Sequence, residues 1–220
     1  MSQHHQIFKA TVRVPVTTKY LLYLPDNYHG SKTKWPLMLF LHGAGECGSN
    51  IDAVAAHGPP KLAAAGKRDF PFVIVSPQCP YRDWWSNPLQ VEALGKLLDD
   101  IVSRYRIDRK RIYVTGLSMG GFGTWSLAAR FPRRFAAIAP ICGGGNPAAA
   151  PRVAHVPAWV FHGAKDEAVP LKKSQEMVKA LRKAGGKPRF TIYPEAGHDS
   201  WSAAYDNPAL YQWLLKQSRR

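Results

Sequence analysis

The sequence predicts an α/β domain with a mostly parallel sheet of about eight strands and helices on both faces. Strand-like and helix-like segments alternate along most of the chain. Several strand-like segments are short continuous apolar runs, which are typical of strands buried on both faces. Two hairpin-like strands come first and a β-α-β series follows, and the usual handedness of such crossovers distributes helices over both faces.

Eight segments have the composition of strands. They are Ile7–Val14, Tyr20–Leu24, Leu37–Leu41, Phe72–Ser76, Ile112–Thr115, Ala136–Pro140, Ala158–Phe161 and Phe190–Tyr193. The segments between them have helical character. The predicted helices are Pro60–Ala65, Val91–Arg104, Met119–Arg130, Leu171–Ala184 and Pro208–Lys216. In the second of these helices, leucine and isoleucine recur at helical spacing, which predicts one buried face.

Length and composition favour a single domain over residues 1–220. The chain has 220 residues, of which 45% are hydrophobic and 20% are charged, so a sizeable core is possible and a disordered chain is excluded. No apolar run approaches the ~18 residues of a membrane span. The first residues lack an apolar signal-peptide core. The cytoplasm is therefore the default expectation, and secretion stays open.

The formal net charge of +15 is concentrated in the second part of the chain. Residues 101–220 carry 20 basic and 7 acidic side chains. The three cysteines, Cys47, Cys79 and Cys142, are too few for a disulfide framework, although a single disulfide bond is possible. The sequence has no CxxC pair of the kind that binds zinc. We therefore expect no metal and no nucleic-acid partner, since no recognised nucleic-acid-binding motif accompanies the charge.

The strongest local signal is the run Gly116-Leu117-Ser118-Met119-Gly120. It matches G-x-S-x-G and lies between a predicted strand and a predicted helix, where this motif forms a sharp turn that exposes a serine hydroxyl. Glycine is needed on either side because strand and helix pass too close for side chains. Ser118 is therefore the candidate nucleophile.

A serine hydroxyl is a weak nucleophile and needs a base. In folds with this turn, an acid and then a histidine follow later strands. Asp166 follows the strand Ala158–Phe161, and His198 follows the last predicted strand. The rival acids are Glu167 and Asp199, and Asp199 adjoins His198 too closely for the required geometry.

Backbone N–H groups must also stabilise the oxygen that becomes negative in the transition state. One donor is the residue after the nucleophile, Met119, and the second comes from the loop after the third strand. That loop is His42-Gly43-Ala44-Gly45-Glu46, and we assign the second donor to Ala44.

These segments resemble the small α/β-hydrolase serine esterases of the phospholipase/carboxylesterase and predicted-peptidase group, including EstA-type catalytic domains. The matching segments also include Pro77–Pro80, Pro140–Gly144, His162–Asp166 and Gly197–Trp201, in the order of that family. The resemblance implies the α/β-hydrolase fold and hydrolysis of a small-molecule carboxylic ester through an acyl-enzyme, without a cofactor. Cys47 departs from the family pattern, which often has arginine there, and this puts in doubt an ion pair with Glu46.

No lid-sized apolar insertion is visible, and the segment from Gly143 to Pro157 is short. This predicts an open site for short- or medium-chain esters. Trp84, Trp85 and Trp201 are the candidate substrate contacts. Feruloyl or acetyl-xylan esterase and small serine peptidase stay open as alternatives.

The basic clusters precede strands rather than follow them. They lie near Arg104–Arg111, Arg130–Arg134 and Lys183–Arg189. Helix-to-strand connections lie at the amino-terminal edge of a parallel sheet, opposite the catalytic loops. We therefore expect the excess positive charge to face away from Ser118.

Overall fold

A computed structural model describes residues 4–66 and 70–219. Its centre is a seven-stranded sheet. The strands are β1 (Tyr20–Tyr23), β2 (Trp35–Leu41), β3 (Val73–Pro77), β4 (Ile107–Leu117), β5 (Ala137–Ile141), β6 (Trp159–Gly163) and β7 (Arg189–Tyr193). Their order is β1-β3-β2-β4-β5-β6-β7. Strand β1 is antiparallel to β3 and every other pairing is parallel, as in the α/β-hydrolase fold.

The helices cover both faces of the sheet. They are α1 (Gly58–Ala64), α2 (Pro88–Arg104), α3 (Met119–Arg130), α4 (Ala150–Val153), α5 (Lys172–Lys183), α6 (Trp201–Asp206) and α7 (Pro208–Leu215). Side chains of β2 alternate between two cores: Leu37, Leu39 and Leu41 pack on the face of α2, α3 and α5. Met38 and Phe40 pack on the opposite face with residues of α1, α6 and α7. The apolar runs therefore belong to strands buried on both sides.

The sheet has seven strands where the sequence predicted about eight, and the predicted strand Ile7–Val14 is the one that does not form. The structure shows no strand over residues 4–19, and Ile7, Phe8 and Val12 in the predicted strand Ile7–Val14 are exposed. A strand needs a partner for its backbone hydrogen bonds and a covered apolar face. Within the described residues, β1 forms that edge of the sheet and pairs only with β3, so this segment has neither.

Strand β4 is longer than its apolar run. It begins at Ile107, and its pairing with β2 shifts between the pairs Trp35–Ile107 and Leu37–Ile112. Two residues of β2 thus face a longer stretch of β4, and residues 108–111 bulge from the ladder. This bulge places a basic cluster at the amino-terminal edge of the sheet.

The connection between β5 and β6 holds only a 3₁₀ turn (Pro147–Ala149) and the four-residue helix α4, which packs on α5. The fold therefore has no lid in this connection. Across the described ranges, no helix combines the length and the apolarity that crossing a membrane requires.

Candidate active site

Ser118 occupies the turn between β4 and α3. Its backbone has φ 51° and ψ −116°, a conformation that is strained for a residue with a side chain. The two flanking glycines explain why the turn is possible. A Cβ atom on Gly116 would lie 2.4 Å from the carbonyl oxygen of Gly120, and one on Gly120 would lie 1.9 Å from that of Leu41. Only hydrogen fits at both positions, so the motif spacing follows directly from backbone packing.

The end of β5 supports the strained turn. The Ser118 N–H donates to the carbonyl oxygen of Ile141 at 3.0 Å and lies 3.3 Å from Cys142 Sγ. Burial raises the pKa of the Cys142 thiol to about 12. The thiol is therefore neutral near pH 7, and it braces the nucleophile without competing with it. All three cysteines are free.

His198 links Ser118 to Asp166. Its Nε2 lies 2.9 Å from Ser118 Oγ, and its Nδ1 lies 2.8 Å from Asp166 Oδ2. The Asp166 side chain is fully buried, whereas that of His198 is 28% exposed. The backbone N–H groups of Ala168 and Val169 donate to Asp166 Oδ1 at 3.0 and 2.8 Å and fix the carboxylate. The fold thus brings the three predicted residues together in one hydrogen-bonded chain.

The rival acids lie elsewhere. Asp199 is exposed and caps α6, where its carboxylate accepts hydrogen bonds from the N–H and Oγ of Ser202, both at 3.0 Å. Glu167 is also exposed. The buried His162 packs behind Asp166, with Nε2 3.2 Å from Asp166 Oδ2 and Nδ1 2.7 Å from Ser174 Oγ. Burial lowers the pKa of His162.

A buried histidine organises the loop opposite Ser118. His42 Nε2 accepts the N–H of Cys79 at 2.9 Å, and its Nδ1 lies 2.6 Å from the carbonyl oxygen of Gly43. Burial lowers the pKa of His42 to about 4, so the ring is neutral at pH 7, with one nitrogen accepting and the other donating. This pattern holds the backbone of Gly43 beside Ser118: a Cβ on Gly43 would lie 3.9 Å from Ser118 Cβ.

The two predicted oxyanion donors lie on either side of this junction. Met119 is the first residue of α3, and Ala44 begins a 3₁₀ turn (Ala44–Glu46). Over residues 4–66 and 70–219, no protein group accepts a hydrogen bond from either N–H. Both amides are therefore available for a substrate oxygen. At Met119, the partial positive charge at the N-terminus of α3 also favours a negatively charged oxygen.

Trp85 is not a substrate contact, contrary to prediction. Its side chain is fully buried, its Nε1 donates to the carbonyl oxygen of His42 at 3.1 Å, and its ring lies 5.1 Å from that of His42. A Cβ on Gly123 would lie 2.5 Å from Trp85 Cβ, so the indole packs directly on α3. Trp85 therefore supports the loop from beneath.

The other two tryptophans lie nearer the surface. The Trp201 ring meets the His198 ring edge-on at 5.2 Å and the His57 ring at 5.5 Å. Trp84 is 41% exposed, and its ring lies 6.4 Å from Phe122. Phe122 was not among the predicted site residues. The sequence could have indicated Phe122, because it lies four residues after Ser118 and therefore on the same side of α3 as the nucleophile.

Glu46 faces two histidines instead of an arginine. Its carboxylate oxygens lie 3.8 Å from His42 Nδ1 and 3.8 Å from His57 Nε2, and its side chain is only 12% exposed. The ion pair that Cys47 put in doubt is thus replaced by contacts with imidazoles.

One group of side chains has the composition of a metal site. The potential ligand atoms of Cys142, Asp166 and His198 lie within 4.8 Å of one another. However, the thiol is protonated, and the Asp166 and His198 atoms are engaged in the hydrogen bonds of the Ser118 chain. The arrangement fits nucleophilic catalysis better than metal binding.

Comparison with known proteins supports hydrolysis of an ester. The model of the dienelactone hydrolase family matches residues 84–208. The chain is 27% identical over 165 residues to a bifunctional acetylxylan esterase/xylanase of Neocallimastix patriciarum, covering 73% of this chain and 23% of that protein. It is 34% identical over 128 residues to poly(3-hydroxyalkanoate) depolymerase C of Paucimonas lemoignei, covering 52% and 29%.

A solved structure is also similar. The crystal structure of a thermostable esterase superposes with a TM-score of 0.81 and 35% identity, covering 93% of this chain and 60% of that one. The chain spans about a quarter of the length of the two curated relatives. Family and neighbours together support an ester-hydrolysing enzyme.

Proposed function

Because the chain belongs to the dienelactone hydrolase family, we propose that it is a serine carboxylesterase that acts on short- to medium-chain carboxylic esters. The observation that carries the proposal is the hydrogen-bonded chain from Ser118 through His198 to the buried Asp166, with Oγ–Nε2 and Nδ1–Oδ2 distances of 2.9 and 2.8 Å. The substrate is a neutral small-molecule ester, and the reaction needs no cofactor.

In the first half of the reaction, His198 Nε2 takes the Ser118 proton while Oγ attacks the ester carbonyl carbon. Asp166 orients the imidazole and stabilises the imidazolium that forms. The N–H groups of Met119 and Ala44 donate to the carbonyl oxygen as it becomes negative, a contribution of about 3–4 kcal/mol per donor in well-formed sites. His198 then protonates the leaving alcohol, and the acyl group remains on Oγ.

In the second half, water attacks the acyl-enzyme with His198 as the base, and the carboxylic acid leaves. The open surroundings of Ser118 suit this step, because the short β5–β6 connection leaves the site accessible to water. The same openness limits the apolar surface that could hold a long acyl chain. The exposed Trp84 and the partly buried Trp201 are the proposed substrate contacts.

A series of p-nitrophenyl esters of increasing acyl length tests the proposal on wild type, Ser118→Ala and Ser126→Ala. We expect Ser118→Ala to lose about 10⁴- to 10⁶-fold in kcat. Ser126→Ala, about two turns further along α3, is the matched control and keeps wild-type rates. Wild-type activity in Ser118→Ala would disprove the mechanism. A rate maximum at acyl chains of about 12 carbons or longer would contradict the open-site substrate range.

The second candidate is removal of acetyl groups from a carbohydrate, favoured by the similarity to the acetylxylan esterase/xylanase over 73% of the chain. Acetate release from acetylated xylan, compared with p-nitrophenyl acetate at equal enzyme concentration, separates the two. A kcat/KM on the polymer above that on the small ester would favour this second candidate.

A further inference from the structure

A cavity of about 510 Å³ opens at the amino-terminal edge of the sheet, and five arginines line it. They are Arg109, Arg130, Arg133, Arg134 and Arg219, and the cavity wall holds one carboxylate, Asp99. We call this feature the arginine cavity. Its volume lies in the range of small-ligand pockets, about 300–1,000 Å³.

Two of the arginines are held in place by the protein. Arg134 pairs with Asp99 and donates to the carbonyl oxygen of Gly95 at 2.7 Å. Arg130 Nε lies 2.5 Å from the Glu92 carboxylate. The guanidinium of Arg130 also packs against the ring of Phe131, 4.9 Å from its centroid, and that of Arg134 does so at 5.3 Å. These contacts fix part of the wall before any ligand arrives.

A third arginine joins the two segments that form the cavity. The Arg219 guanidinium donates to the carbonyl oxygen of Arg133 and, at 2.7 Å, to that of Arg109. The backbone N–H of Arg219 donates to the carbonyl oxygen of Lys110 at 2.9 Å. It thereby ties the bulge of β4 to the loop after α3. Its Nε is buried and, in the described chain, has no hydrogen-bond partner. A buried donor of this kind is costly to leave unsatisfied.

The remaining two arginines are uncompensated. Arg109 and Arg133 have exposed side chains, and no carboxylate in residues 4–66 and 70–219 pairs with either. Five guanidiniums thus share two carboxylates, Asp99 and Glu92, and excess positive charge is concentrated in one concave site. An anion with several acceptor oxygens would relieve this repulsion, and the planar guanidinium fork matches phosphate oxygens in particular.

The arginine cavity is remote from the catalytic residues. Arg109 lies in the bulge of β4 and Ser118 follows the other end of this strand, nine residues on, which corresponds to up to about 30 Å at the rise of a strand. An anion bound there contacts none of Ser118, Asp166 and His198.

We propose that the arginine cavity binds a small soluble anion that carries at least two phosphate groups. The concentration of charge within one cavity of limited volume favours a compact ligand. A nucleic-acid duplex instead presents its phosphates at regular intervals along its length, so few of them could enter one cavity. The proposed anion site is independent of ester hydrolysis.

The test is calorimetric titration of the protein with sodium tripolyphosphate in a low-salt buffer free of divalent cations. We expect saturable binding of one anion per chain. The double variant Arg109→Ala/Arg133→Ala should weaken it about tenfold or more, because hydrogen bonds to charged groups are lost. Lys179→Ala/Arg182→Ala removes the same charge from the exposed surface of α5 and should leave the affinity within about twofold of wild type.

Equal weakening in the two double variants would overturn the proposal in favour of general electrostatic attraction, as would the absence of saturable binding to wild type. Two further titrations identify the source of phosphate. Tighter binding of a DNA duplex than of tripolyphosphate, or binding only to vesicles that contain a phosphoinositide, would overturn the choice of a small soluble anion.

Discussion

The two edges of the sheet carry ionisable side chains under opposite conditions. At the carboxyl-terminal edge, Asp166 is fully buried and His198 is 28% exposed, and each is engaged by a specific neighbour. At the amino-terminal edge, Arg109 and Arg133 are exposed and lack a carboxylate partner within the described chain. At the carboxyl-terminal edge, burial and hydrogen bonds fix the positions of the ionisable side chains. At the amino-terminal edge, positive charge is concentrated at the surface.

The difference shows that net charge and reactive chemistry have separate locations in this molecule. The overall charge of +15 arises mainly after residue 100. In the structure the basic clusters lie at the starts of β4, β5 and β7, with the first extending into the bulge of β4, on the edge opposite Ser118. The charge therefore says little about the ester, and substitutions at the two edges should have different consequences.

After Ser118→Ala, the largest loss of activity is expected from Asp166→Asn. Asparagine retains the shape of the side chain but removes the negative charge that orients His198 and stabilises its protonated form. The expected loss in kcat is about 10⁴-fold on p-nitrophenyl acetate. The measurement is kcat of wild type and variant between pH 6 and pH 9.

Asp199→Asn is the matched control, because Asp199 adjoins His198 in sequence but caps α6. It should keep activity within about twofold, since it changes only a surface cap. If Asp199→Asn lost as much activity as Asp166→Asn, the assignment of Asp166 would be wrong.

The next effect concerns stability and pH. The pKa of His42 is lowered by burial from 6.5 to about 4, so the unfolded chain binds a proton in this interval more readily than the folded protein. The free energy of unfolding should therefore fall as the pH decreases from about 6.5 to about 4, by about 3 kcal/mol from this residue. Above pH 6.5 the contribution is fully present.

Urea unfolding of wild type and His42→Asn at several pH values across this interval measures the effect. The variant should be less stable at pH 7, because it loses contacts to Cys79 and Gly43, and its stability should depend less steeply on pH. The buried His162 is present in both proteins, so its contribution cancels. Parallel curves for the two proteins would contradict the assignment to His42.

The sequence was most informative where backbone packing leaves no choice of residue. Gly116 and Gly120 cannot carry a Cβ next to their neighbouring carbonyl groups, so the motif alone located Ser118 between a strand and a helix. The order of acid and histidine after later strands then identified Asp166 and His198, which the structure brings within hydrogen-bond distance.

Sequence was least informative where the outcome depends on a distant partner. The alternating segment Ile7–Val14 resembles a strand, but strand formation requires a neighbour that the pattern cannot reveal. Trp85 and Trp201 cannot be distinguished in the sequence, because both are tryptophans in segments that follow predicted strands. Only tertiary packing distinguishes the fully buried Trp85 from Trp201, whose ring lies 5.2 Å from His198. The convergence of five arginines on one cavity likewise depends on the bulge in β4.

The smallest effect is expected at the amino-terminal edge and completes the contrast. Arg109→Ala/Arg133→Ala should leave kcat/KM for p-nitrophenyl acetate within about twofold of wild type, because the substitutions lie beyond the ~10 Å screening length at 0.1 M salt and the ester is neutral. The assay is repeated at low ionic strength, where long-range electrostatic effects are greatest. A tenfold loss of activity with an unchanged melting temperature would show that the two edges are coupled. Unchanged turnover in a variant that has lost tripolyphosphate binding would instead establish two chemically independent sites on one sheet.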